Sequence, residues 1–230
     1  MSFEIVLSDR LGQTYVWRAD LGVSKEQVVE NRRAIVAAAA KLFRERGVDG
    51  VGVADLMKAA GFTQGGFYNH FKSKEALVAE VIATEMSNGT AGVVRTLQGA
   101  APKAGARLEQ QINSYLSYEH RNDIEGGCPV AGFSGDAPRL SVEARAQFAV
   151  GLDDMITILA GLIAEAPSPH GTQDRRTLRE QAISSYSQMV GALVLSRAVA
   201  GPAPKLADEV MESSRRNLLA HFRKSQAPQP

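Results

Sequence analysis

Hydrophobic positions recur at three- and four-residue steps through most of this chain, and the places where that rhythm stops mark out its elements. From Lys25, the residues Ile35, Ala38, Ala39, Leu42 and Phe43 line one stripe of a helix, and Gly47 is placed to end it because glycine tolerates the positive φ of a helix C-terminus. A short helix is predicted from about Val53 to Ala60, stopped by Gly61, and another from about Thr63 to His70 with Thr63 as its N-cap. Ser73 can cap the next helix, in which Leu77, Val81 and Ile82 continue an apolar stripe. Further helical stretches hold Leu108, Ile112, Tyr115 and Leu116, then run over Phe148 to Ile163, Ile183 to Val199 and Val210 to Phe222. Breaks fall in the loop from Gly99 to Gly105 and at Gly126-Gly127-Cys128-Pro129, Ala166-Pro167-Ser168-Pro169 and Gly201-Pro202-Ala203-Pro204. Only the opening segment, Met1 to about Ser24, alternates apolar and polar residues (Phe3, Ile5, Leu7, later Val16 and Trp17) in a weak strand-like pattern. It reads either as an accessory arm on the first helix or as a disordered extension, and Gln226 to Pro230 reads as a disordered tail.

These elements predict an all-α fold of about nine helices. The divisions are an N-terminal extension (1–24), a three-helix unit with a helix-turn-helix pattern (25–74), a larger helical body (75–224) and the tail (225–230).

Composition changes this picture little. A chain of 230 residues can bury a substantial core. The single cysteine excludes an intramolecular disulfide and fits a reducing, cytoplasmic setting. No Cys/His spacing suggests zinc, and neither a metal nor a cofactor is expected. Glu4, Asp9 and Arg10 interrupt the N-terminus, and no uninterrupted apolar run approaches the roughly 18 residues a span requires, so neither secretion nor a membrane partner is expected. The net charge of +1 decides nothing, since nucleic-acid affinity depends on local clustering. Lys25, Arg32, Arg33, Lys41, Arg44, Arg46, Lys58, Lys72 and Lys74 do cluster around the short helices, but Glu26, Glu30, Glu45 and Asp55 lie among them. A phosphate-binding surface and a solvated mixed-charge face are both open readings.

The chemistry sits between Val53 and Phe71. Leu56, Ala60, Phe62, Phe67 and Phe71 would hold two short helices together across a glycine turn, leaving Thr63, Gln64, Gly65, Tyr68, Asn69 and His70 to face a major groove. Gln64 can pair with adenine or bond a phosphate, Tyr68 can give its hydroxyl to a phosphate or pack at a helix junction, and Lys74 suits a phosphate contact. Thr63 can cap, contact DNA, or both. His70 either contacts DNA or ends the helix. Gly65 and Gly66 weaken a helix by roughly 1 kcal/mol each, which either allows close approach of the backbone to a duplex or simply adds flexibility.

Taken with their register, Ala39-Ala-Lys-Leu-Phe-Arg-Glu-Arg-Gly and Gly61-Phe-Thr-Gln-Gly-Gly-Phe-Tyr-Asn-His-Phe-Lys-Ser-Lys-Glu-Ala-Leu resemble the DNA-binding domain of the TetR family of regulators. The resemblance covers about the first third of the chain. It implies a homodimeric repressor on a palindromic double-stranded operator, released by a small-molecule effector, whose remaining helices form the ligand pocket and dimer interface. Gly52 departs from the pattern, standing where such proteins often carry a Ser or Thr that caps the second helix and touches phosphate.

In the C-terminal body, Tyr115, Tyr118, Phe133, Met155, Leu159, Tyr186 and Met189 are candidate pocket residues, each also explicable as core. Tyr186, Val190, Leu193, Val194, Leu218 and Phe222 are candidates for a four-helix dimer interface, although intramolecular core explains part of each stripe equally well. Cys128, after two glycines and before a proline, is either a reactive sensor thiol at a helix start or a buried inert cysteine. A thiol-sensing regulator is therefore an alternative to a ligand-released one. More remote are an all-α enzyme with Cys128 as nucleophile and His120 or His170 as base, and a helical interaction module that does not bind DNA.

Overall fold

The computed structural model describes residues 3–8, 14–19, 24–98, 105–166 and 173–224. The tail expected to be disordered, most of the 99–105 loop and His170 lie outside them.

The opening segment forms two antiparallel strands, β1 (Phe3–Ser8) and β2 (Thr14–Ala19), in a register that pairs Ile5 with Trp17 and Leu7 with Tyr15. Everything else with regular structure among the described residues is helical. α1 (Lys25–Arg46) starts at Ser24, whose hydroxyl accepts the Gln27 N–H at 3.1 Å. It ends at Gly47 with φ 74° and ψ 159°, a positive φ as the sequence predicts but an extended ψ, its N–H donating to the Phe43 carbonyl. α2 (Val53–Ala59) follows, then a turn through Gly61 at φ 82°.

The segment expected as a helix from Thr63 to His70 is a 3-10 helix, Gln64–Asn69. Thr63 precedes it in extended conformation without capping it, because its side chain accepts no backbone N–H. Ser73 does cap: its hydroxyl accepts the Ala76 N–H at 3.2 Å and opens α3 (Lys74–Gln98). At about 1.5 Å per residue, this 25-residue helix runs from the N-terminal three-helix unit into the body.

The body comprises α4 (Ala106–Tyr115), α5 (Tyr118–Asn122), α6 (Pro129–Phe133), a 3-10 turn at Ala137–Arg139, α7 (Val142–Glu165), α8 (Arg175–Val199) and α9 (Pro204–Lys224). α7 starts six residues before Phe148, where its apolar pattern becomes visible, because Ser141 caps it through the Ala144 N–H. Cys128 is the N-cap of α6, with Pro129 at the first helical position, where a missing N–H costs nothing. α3 and α7 approach closely: a Cβ on Gly151 would lie 2.4 Å from the Met86 Cβ, so only glycine fits. α7 has the length and mean hydropathy of a membrane span, but Asp153 and Asp154 divide it and it packs between α3 and α8 as a central core helix.

The core is continuous from head to body. Ile35, Phe43, Leu56, Met57, Phe67, Leu77 and Ile82 are fully buried in the first half, as are Leu108, Ile112, Phe133, Met189 and Leu193 in the second. Each such side chain contributes about 1.5–3 kcal/mol of transfer free energy.

Candidate nucleic-acid interface and effector site

Phe67 and Phe71 stack with centroids 5.7 Å apart and, with Leu56 and Met57, anchor the Gln64–Asn69 helix from beneath. That burial fixes what remains outside. Thr63, Gln64, Gly65 and Asn69 are exposed, and the Tyr68 side chain is 74% exposed, touching the edge of Phe67 with its ring. A Cβ on Gly65 would meet nothing within 4 Å among the described residues, so their packing does not demand glycine there. His70 is half-buried at the end of the helix, its ring 6.4 Å from Phe62 and its buried Nδ1 without a hydrogen-bond partner. Lys74 points inward, donating from Nζ to the Val48 carbonyl at 2.7 Å. Its ammonium thereby ties α3 to the corner after α1 rather than standing free.

Several of the clustered cations prove to be structural. The Arg32 guanidinium lies 4.1 Å over the Phe71 ring, donates from Nε to Glu80 on α3 at 2.9 Å and from Nη1 to the His70 carbonyl. It thus fastens the last turn of the short helix to both α1 and α3. Arg33 pairs with Glu30, Lys41 with Glu125 and Arg44 with Glu85. Lys58 and Lys72 are exposed beside the short helices. α2 has Gly52 as its N-cap with no side-chain hydrogen bond, and Asp55 in the first turn complements the helix dipole instead.

In the body, Cys128 is 8% exposed, its Sγ 3.5 Å from the Tyr186 hydroxyl. Its backbone N–H donates to His120 Nε2 at 3.0 Å, and His120 Nδ1 lies 2.7 Å from the Tyr115 carbonyl. A backbone N–H can only donate, so Nε2 accepts and the ring proton resides on Nδ1. Burial, foremost, holds the His120 pKa below its ordinary value. The imidazole is thus committed to backbone and offers Cys128 no base, which removes the His120 version of the enzyme reading. Tyr115 packs edge-on against His120 and Tyr186, and its buried hydroxyl has no hydrogen-bond partner. Burial, then the adjacent Cys128, pushes both phenols well above their ordinary pKa.

Residues 35–81 match the family description "Bacterial regulatory proteins, tetR family". The transcriptional repressor DhaR of Mycobacterium sp. strain GP1 is 32% identical over 111 residues, 48% of this chain and 54% of that protein. The matched segment therefore spans only about half the length of DhaR. The repressor NemR of Escherichia coli K12 is 22% identical over 170 residues, 74% of this chain and 85% of NemR. The crystal structure of reduced E. coli NemR superposes with a TM-score of 0.69 at 21% identity, covering 87% of this chain and 98% of that one. Residues 35–81 are thus similar to the DNA-binding domain of the TetR family, and the whole chain shares its fold with solved regulators of that family, such as one from Agrobacterium tumefaciens at a TM-score of 0.69 and 16% identity, covering 87% of this chain and 100% of that one.

Within this fold, the expected pocket residues separate into four groups. Met155, Leu159, Tyr186 and Met189, with Gln111, line a cavity of only about 10 Å3, room for about one water. Tyr115 lies in the Cys128 cluster and Phe133 is fully buried as core. Tyr118 is corrected outright: it is 63% exposed, its ring carrying the Arg121 guanidinium at 4.7 Å, because the five-residue α5 turns that face outward. The larger opening, about 580 Å3, lies between α3 and α7 and is lined by Met86, Thr90, Val94, Arg95, Val150 and Asp154 among others. The sequence reading missed it, since its apolar members belong to two helices whose crossing no periodicity reveals.

The expected dimer residues also divide. Tyr186, Leu193, Leu218 and Phe222 are buried within the single chain, Tyr186 against Tyr115 and Cys128, so their side chains offer little surface to a partner. Val190 is half-buried and Val194 exposed, beside the exposed Ile183 and Leu195.

Proposed function

We propose that this protein is a transcriptional repressor that binds a palindromic operator as a homodimer and releases it when an effector occupies the helical body. The observation that carries this reading is the Thr63–Asn69 surface. Phe67 and Arg32 fix the short helix rigidly while Thr63, Gln64, Gly65, Tyr68 and Asn69 are left exposed and without structural duties. Gln64 and Asn69 supply amides for base edges, Tyr68 a hydroxyl for phosphate, and Gly65 clearance for the backbone. His70 and Lys74 act as supports at the edge of the surface, Lys74 reaching phosphate only if it leaves Val48. One such head reads a half-site, so two copies joined through Ile183, Val190, Val194 and Leu195 would reach successive major grooves about 34–36 Å apart. The reading places the protein in the cytoplasm with its DNA. The test is binding to an operator selected by the protein from random duplexes. Tyr68→Ala and Gln64→Ala should each reduce affinity at least tenfold with unchanged melting, and unchanged affinity in both would end the reading.

A second reading makes the effector a thiol-reactive compound. It is favoured by the placement of the sole cysteine against two phenols, one of them unpartnered, and by fold similarity to a repressor crystallised in a "reduced form". Cys128→Ser should abolish the response of operator binding to thiol reagents and leave basal binding intact.

A further inference from the structure

We propose that Arg44 is the positioning residue through which the segment carrying Cys128 controls the DNA-binding head. The proposal deepens the thiol-sensing reading and rests on it. Arg44 lies in the last turn of α1, yet its side chain is only 3% exposed. Its Nη1 donates to the carbonyls of Glu125 at 2.7 Å and Gly127 at 2.9 Å, the second of these immediately before Cys128. Its Nη2 bonds Glu85 on α3, and the guanidinium lies 5.5 Å from the centre of the Phe133 ring on α6. One side chain thus joins α1, α3 and the Cys128 segment.

The surroundings leave that segment little slack. Pro129 sits in a notch at Gly89 of α3, where an added Cβ would lie 2.8 Å from the ring. On the side of the body, Arg197 of α8 donates to the carbonyls of His120, Arg121 and Asp123, anchoring the residues that precede the segment. The stretch from Glu125 to Gly127 is instead held by cations of α1: Arg44 through its carbonyls and Lys41 through the Glu125 carboxylate at 2.8 Å. Bulk added at Cys128 therefore displaces the end attached to α1, because the other end is pinned to α8. An adduct would meet the Tyr186 hydroxyl, 3.5 Å from the sulfur, and beside it the buried Tyr115 hydroxyl, which has no hydrogen-bond partner among the described residues.

The test uses N-ethylmaleimide as the probe. The thiol adds across the ring double bond, forming an S–C bond while the thiol proton ends on the neighbouring carbon, with no leaving group and no redox change. With a single cysteine in the chain, mass spectrometry reports the extent of modification at Cys128 directly. Wild-type protein, once modified, should lose about tenfold or more in operator affinity, a coupling of ordinary allosteric size. The double variant Arg44→Met/Glu85→Gln removes both charges together, so that no carboxylate is left buried without its partner. It should be modified to the same extent, and its operator affinity should change less than twofold on modification. Cys128→Trp builds comparable bulk permanently and should weaken operator binding in the wild-type background but not in the double variant. An equal loss of affinity in the double variant overturns the role of Arg44. Full modification of the wild type without any loss overturns the thiol reading itself, and with it the proposal.

Discussion

Gly65 is the residue at which folding and function pull apart most cleanly. None of the described residues would touch a Cβ there, and glycine in a helix costs roughly 1 kcal/mol against alanine. Gly65→Ala should therefore melt no lower than the parent in a thermal scan while binding its operator more weakly, the added methyl occupying clearance needed by DNA. His120 offers a second residue-level check. Its folded pKa lies below the ordinary 6.5, so above about that pH the imidazole is neutral in both states and its contribution is complete. As pH falls below 6.5, the unfolded chain takes up a proton that the folded chain resists, and stability is lost until the folded pKa is passed. Melting temperature should drop across that window, and His120→Gln should flatten the drop. At this scale the sequence was legible where a residue type has one physical use, as with Ser73 as a cap and Phe67 as an anchor. It was not legible for Lys74, whose cation could serve phosphate or the Val48 carbonyl, nor for Tyr118, whose direction depends on where α5 begins.

Among the elements, the short helix from Gln64 to Asn69 depends on Arg32 for its orientation. Arg32 and Glu80 are 40% and 35% exposed, so their Coulombic attraction is largely screened by water. The distinctive part is the bond to the His70 carbonyl and the stacking on Phe71. Arg32→Met should cost on the order of 1–2 kcal/mol in denaturant unfolding and weaken operator binding by more than that stability loss explains, because the recognition surface loses its fixed angle. The long helices were visible in the three- and four-residue rhythm of Ile35 to Phe43 and Leu77 to Ile82. The five-residue α5 and α6 were not, being shorter than two turns and thus without a period to detect. The 3-10 character of the recognition segment escaped for a related reason: Gly65 and Gly66 leave too few apolar positions to distinguish a step of 3.0 from one of 3.6.

At the scale of the whole molecule, the body must bring two heads to one operator. The periodic stripes on α8 and α9 were read correctly as apolar, but periodicity cannot tell a face that meets the chain's own helices from one that meets a second copy. Leu218 and Phe222 belong to the first kind, and Val194 and Leu195, which α8 turns outward, to the second under the dimer proposal. Val194→Glu should leave the monomer fold intact, since Val194 is 37% exposed, and should shift sedimentation from dimer to monomer with loss of tight operator binding. The most direct test of the central claim is fluorescence-anisotropy titration of DNA flanking the protein's own gene across a salt series, comparing the parent with Tyr68→Ala. Tight, palindrome-dependent binding that weakens steeply with salt and falls at least tenfold in the variant is the predicted result. Binding no stronger than to random duplex, or unchanged by the variant, would contradict the assignment of the Thr63–Asn69 surface to operator recognition.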